Sequence, residues 1–124
     1  MKLGDTFEDG YDPHLRLVIA GPTPDGRVAI ANFTTCTEGC DQSCIVCKGD
    51  HPYLKHDSFV YYQRASIEAV SDIQHLLGTR HCTLHQPLSN GLLKRIRDGA
   101  IASEFTDEGI RTLILAERQQ GLLF

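Results

Sequence analysis

The 124-residue sequence predicts an α+β domain in which strands come first and helices follow. Three observations carry that expectation. Two β-rich runs flank a Gly- and Pro-rich turn near the start, amphipathic stretches with helical spacing fill the end, and the two types do not alternate as they would around a parallel sheet. Residues 1–70 form the strand-rich part and residues 71–124 the helix-rich part of a single domain. The arrangement is either an open α+β fold or a small closed barrel with helices on one side. No GxGxxG or Walker motif points to a nucleotide-binding sheet.

The elements follow in order. LRLVIA at 15–20 and RVAIANFTT at 27–35 are strands separated by GPTPDG, whose prolines and glycines set a hairpin or meander turn. SFVYYQ at 58–63 is aromatic and β-branched, and ASIEAV at 65–70 alternates imperfectly, giving two more strands. DIQHLL is a short helical turn stopped by Gly78. In LSNGLLKRIRDGA, Leu92, Leu93, Ile96 and Ala100 share one helix face, while Lys94, Arg95, Arg97 and Asp98 share the other. Ser89 caps this helix and Leu88 staples to Leu93. A last helix starts after Thr106, with Asp107 and Glu108 at the positive end of its dipole and Ile110, Leu113 and Ile114 as its buried stripe, and it ends near Gly121.

A hydrophobic fraction of 41% with 23% charged residues is globular and excludes a disordered tail. Apolar runs stop at about four residues, so no membrane span is expected. The start MKLGDTFEDG turns acidic at once, and the expected compartment is cytoplasmic. A net charge of −4 argues against broad nonspecific nucleic-acid binding. Its distribution is uneven: residues 73–97 hold Arg80, Lys94, Arg95 and Arg97 with no acid, together with His75, His81 and His85. That stretch is either a solvated helix face or a phosphate-facing patch.

Five cysteines without a secretion signal do not suggest a disulfide framework. Four of them crowd into CTEGCDQSCIVC, from Cys36 to Cys47. The C-x3-C-x2-C spacing of Cys40, Cys44 and Cys47 matches the cluster triplet of radical SAM enzymes, whose barrel this chain is too short to build. Structural zinc fits better. Cys44 and Cys47 form a C-x2-C knuckle that Cys36 and Cys40 could complete, or else His81 and His85 if RHCTLH were helical. The competing reading is a loop of free or incidentally paired thiols.

His56, Asp57 and Ser58 are adjacent, but neighbours on an extended chain alternate faces and cannot form a triad, and no G-x-S-x-G elbow accompanies them. GDHPYLKHDS delivers His51, His56 and Ser58 to the strand that follows, either as a rim of donors beside a groove or as polar groups that satisfy their own backbone. Arg16 heads one strand while Thr34 and Thr35 end the next. If the two pair through their turn, a guanidinium fork and a hydroxyl face one point, a combination suited to a phosphodiester.

The order GDTF, Arg16 heading an apolar strand, a strand ending in Thr34 and Thr35, SFVYY, and amphipathic helices resembles the PemK/MazF-like family of toxin endoribonucleases. The resemblance implies an SH3-like antiparallel β-barrel with two to three helices, cleavage of single-stranded RNA through its own 2′-hydroxyl without metal, a cognate antitoxin partner and a homodimer. It implies catalytic roles for Arg16 and Thr35, with Thr34 as the neighbour if register slips and with His56 or Ser58 lining the groove. Aromatic SFVYYQ and the terminal Leu122, Leu123 and Phe124 are the surface expected to be covered in the dimer. Two departures stand out. Leu17 follows Arg16 where the family commonly has Pro, and the Cys36–His56 insertion is longer and richer in cysteine. D-x-S-C-I-V-x-x-G-D-H-P at 41–52 is similar to a loop of uncharacterised small proteins related to that group. The alternative is a non-enzymatic binding module of the same fold, with the Cys loop as a zinc staple or docking element. A metal-dependent hydrolase using His51, His56, His81 and His85 lacks any HExxH-type motif.

Overall fold

The computed structural model describes residues 1–122 and 124, with the backbone alone for Pro13. Among these residues the chain runs β1 (Thr6–Asp9), β2 (Asp12–Ala20), β3 (Arg27–Thr35), β4 (Ile45–Val46), β5 (Ser58–Val60), a 3₁₀ turn (Tyr62–Arg64), β6 (Ser66–Ala69), α1 (Val70–Gly78), β7 (Cys82–His85), α2 (Asn90–Ala102) and α3 (Glu108–Gln119). The strands form one antiparallel sheet in the order β4-β5-β3-β2-β1-β7, with β6 also on β3. The class is α+β, as expected. The sheet is not closed into a barrel: β4 and β7 end its path and no pairing joins them among the described residues.

β3 is the pivot. One edge pairs with β2, while the other pairs first with β6 along Arg27–Ile30 and then with β5 along Phe33–Thr35. Val60 faces Phe33 and Ser66 faces Ile30, so the chain uses more residues between those points than β3 does, and the 3₁₀ turn takes up the excess. That is why SFVYYQ ends as a strand at Val60 although its composition favours continuing. RHCTLH is not helical; Cys82–His85 pairs with β1 as an edge strand. The helical geometry that would have joined His81 to His85 is therefore absent.

Alternation along the strands divides the core in two. Leu15, Leu17, Ala29, Ala31 and Phe33 face α2 and α3, packing with Leu92, Ile96, Ala100, Ile110 and Ile114. Phe7, Val18, Val28 and Ile30 face the other way, onto Ile73 of α1. The caps match the sequence: Ser89 Oγ accepts from the Leu92 N–H at 3.2 Å, and Asp107 accepts from the Gly109 N–H at 2.9 Å. The predicted polar face of α2 needs one correction. Arg97 is fully buried, its Nη1 donating to the Ile19 carbonyl at 2.7 Å and to Glu117 at 2.9 Å, its Nε to the Phe124 carbonyl at 2.5 Å. Burial lowers its pKa and Glu117 pulls it back up. α3 and the chain end cover this side of α2, and a delocalised guanidinium is the cation that tolerates such burial best.

Of the apolar surface on which the dimer expectation rested, Phe59, Val60 and Tyr62 are buried within the chain, Phe124 is half-buried against the main core, and Tyr61 and Leu122 are half-buried. Leu123, part of that expectation, lies outside the described residues. No helix among the described residues is long and apolar enough to cross a membrane.

Candidate functional site

Beyond the end of α2, on the same sheet face, a cleft of about 630 Å³ remains open. Register puts Glu8 of β1, Leu15 of β2, Phe33 and Thr35 of β3 and His85 of β7 along its floor and wall. The segment His51–Ser58 folds over it and adds Tyr53, Lys55 and His56, while His14 enters from β2.

His51 anchors that segment. Its ring is buried; Nδ1 accepts from the Tyr53 N–H at 3.1 Å, and Nε2 lies 2.5 Å from the Gln86 carbonyl, which also accepts from Thr6 Oγ1. A carbonyl only accepts, so Nε2 carries the proton and the ring is the neutral Nε2–H tautomer. With both nitrogens engaged, His51 positions the loop.

Tyr53 bridges the cleft. Its hydroxyl donates to Glu8 Oε2 at 2.6 Å and its ring meets His85 edge-on, centroids 5.1 Å apart. Burial, then the hydrogen bond to Glu8, pushes its pKa up to about 12, so it stays a neutral donor. Nε2 of His85 is buried and has no hydrogen-bond partner among the described residues. Such an atom costs on the order of 1–3 kcal/mol.

Of the residues singled out in the sequence, Thr35, His51, His56, Ser58 and His85 come together here, Thr35 pairing with Ser58 across β3 and β5. The Ser58 hydroxyl donates to the His56 carbonyl at 3.0 Å, satisfying its own backbone. Arg16 and Thr34 do not join them. Arg16 lies opposite Asn32, because β2 begins at Asp12 and Arg16 is therefore mid-strand, and its side chain emerges on the α1 face. There its Nη2 meets Asp12 at 3.4 Å and Asp9 at 3.8 Å, while Asn32 Nδ2 donates to Thr34 Oγ1 at 2.8 Å. The expected convergence of Arg16 with Thr35 is corrected: the sheet separates them. Glu8, His14, Tyr53 and Lys55 went unnoticed in the sequence. Glu8 belongs to a strand that was not foreseen, and His14 stands next to Leu15 in β2, where alternation alone would have assigned it to the other face.

The cysteine cluster does not make a ligand set. Cys36 and Cys40 form a disulfide, Cys44 is buried and Cys47 is exposed. Among the described residues no group of three or more His, Cys, Asp or Glu is arranged to hold a metal ion. Instead the loop is fastened to α2. Asp41 accepts from Ser103 Oγ at 2.6 Å, Arg95 donates to the Ile45 carbonyl at 2.9 Å, and the Tyr62 hydroxyl donates to the Ile96 carbonyl at 2.6 Å. Burial raises the pKa of both Cys44 and Tyr62, keeping them neutral. No family model, no curated protein and no solved structure matches this chain.

Proposed function

We propose that the chain is a metal-independent endoribonuclease acting on single-stranded RNA in this cleft, the reading that its resemblance to the PemK/MazF-like toxins suggested. The single observation that supports it is the gathering of His14, His56 and Lys55 beside Thr35 and Ser58 in one open cleft. Two imidazoles suit the two proton transfers of RNA cleavage. One takes the proton of the 2′-hydroxyl as that oxygen bonds to phosphorus; the other gives a proton to the 5′-oxygen as its bond to phosphorus breaks. The products are a 2′,3′-cyclic phosphate and a 5′-hydroxyl. Lys55 offsets charge on the phosphorane and Thr35 holds a phosphate oxygen. Arg16, held between two carboxylates on the far face, has no part in this scheme.

The test is gel analysis of a long unstructured RNA with wild type, His56→Ala and Arg16→Ala, each first shown to be folded. Cleavage is expected to persist in EDTA, to fail where the scissile nucleotide is deoxyribose, to fall in His56→Ala and to survive in Arg16→Ala. Intact RNA under all buffers would leave a non-enzymatic binding module with the same cleft. Loss of cutting in Arg16→Ala alone would return the site to the α1 face.

A further inference from the structure

The wall formed by β1 and β7 presents a second chemistry that proton transfer does not use. Thr6 pairs with His85 and Glu8 with Thr83, so Glu8 and His85 are diagonal neighbours on the cleft face of the sheet. Such neighbours sit about 7–8 Å apart, a distance that a planar ring can span. Tyr53, from a third element, braces both, hydrogen-bonded to one and packed edge-on against the other.

We propose that this wall is a guanine-reading subsite, in which Glu8 and His85 bind the pairing edge of a guanosine nucleotide; the proposal rests on the RNA-cleaving reading for the polymer that carries the base. A carboxylate can only accept hydrogen bonds. Guanine alone among the four bases offers two adjacent donors on its pairing edge, N1–H and the N2 amino group, and these match two carboxylate oxygens. Adenine and cytosine each set a ring-nitrogen lone pair beside their amino group, and uracil flanks its single N3–H with two carbonyls. Each of the three therefore turns a lone pair toward Glu8. Tyr53 occupies one position on Oε2 and leaves the rest of the carboxylate to a ligand. The remaining guanine atom on that edge is O6, an acceptor. His85 lines the cleft, and its Nε2 is buried without a hydrogen-bond partner among the described residues; the subsite requires its ring to rotate so that an N–H faces that oxygen, a movement that breaks no hydrogen bond of Nε2. The pKa of Tyr53, raised to about 12, keeps the brace a donor, so Glu8 is steadied without meeting a second negative charge.

The experiment is calorimetric titration of the full chain with guanosine, inosine and adenosine 3′-monophosphates, which carry no bond to cleave. Guanosine should bind about ten- to a hundredfold tighter than adenosine, the scale of one good bidentate contact. Inosine, which lacks the N2 amino group, should fall between them. Glu8→Gln should abolish the guanosine advantage, weakening guanosine binding and strengthening adenosine binding as an amide N–H replaces the carboxylate facing the lone pair of adenine N1; the inosine comparison needs no variant and holds even if Glu8→Gln disturbs the Tyr53 brace. Equal affinities for all three nucleotides, or a guanosine preference that survives Glu8→Gln, would overturn the proposal. RNA cut with no preference for guanosine sinks the subsite and leaves the nuclease standing. Selective guanosine binding by a protein that leaves RNA intact does the reverse.

Discussion

The connection between β3 and β5 has two parts that differ in what they do. The first, Cys36–Val46, is closed on itself by the Cys36–Cys40 disulfide and is fastened to α2 through Asp41, Cys44 and the carbonyl of Ile45. The second, His51–Asp57, is pinned by one buried histidine and lends Tyr53, Lys55 and His56 to the cleft. The cysteines drew attention to the first half in the sequence, yet their work is fastening. Reactive residue types advertise chemistry wherever they stand, whereas a site requires that side chains from several elements face one space.

The largest effect should separate the halves by activity. His56→Ala is expected to lower RNA cleavage by roughly 10²-fold or more, the usual weight of a positioned acid or base, with little change in melting temperature because the residue is exposed. Replacing Cys36 and Cys40 together by serine should do the opposite, leaving the rate per folded molecule near wild type and lowering thermal stability. Measured rates and melting curves for both variants decide it; a dead double-cysteine variant that melts normally would reverse the roles assigned to the halves.

Next comes the seam between the first half and α2. A Cβ added at Gly99 would lie 2.4 Å from the Tyr62 hydroxyl, 2.8 Å from Cys44 Cβ and 2.9 Å from the Ser43 carbonyl. The helix can sit this close only because Gly99 has no side chain. Gly99→Ala should therefore destabilise by about 1–3 kcal/mol, the range for overpacking, although alanine is the better helix former. Urea unfolding checks the value, and a neutral or stabilising result would mean that the loop does not bear on α2. Tyr62→Phe probes the same seam more gently. It removes one buried hydrogen bond to Ile96 and should cost about 1 kcal/mol by the same measurement.

How much of this was legible varies by element. β3 could be read to its ends, Arg27 to Thr35, because composition and flanking turns agree there. α2 and α3 were visible from periodicity and caps, but Arg97 looked exposed because helical spacing reports a face and not what packs over it. β1, β4 and β7 are short edge or near-edge strands held by pairing to distant segments, and nothing local marks them. The candidate site failed for a related reason. Thr35, His56 and Ser58 were named, but Arg16 was joined to them on nearness to strand ends, and one residue of parity moves a side chain to the other face.

The smallest effect concerns acid. Asp41 accepts from Ser103 Oγ, Ser43 Oγ and the Ser43 N–H. Burial by itself would raise its pKa, but the hydrogen bonds from Ser103 and Ser43 outweigh burial and hold it below 3.8. A carboxyl whose pKa is lower folded than unfolded binds more protons when unfolded, so its contribution is complete above the unfolded value and is lost as pH falls through the folded one. At about pH 7, Asp41→Asn should lose on the order of 1 kcal/mol, since the amide keeps one acceptor and surrenders the charge-assisted bonds. That deficit should shrink steadily below about pH 4 and close once Asp41 in the wild type is itself protonated. Asp98, whose pKa is also lowered, by Lys94 and Arg118, titrates in the same window in both proteins and cancels in the difference. Urea unfolding of wild type and Asp41→Asn across that range gives the curve directly. A gap that stays constant with pH would mean that Asp41 acts by shape alone, and no gap at neutral pH would mean that the first half of the connection is not fastened to α2 through this carboxylate.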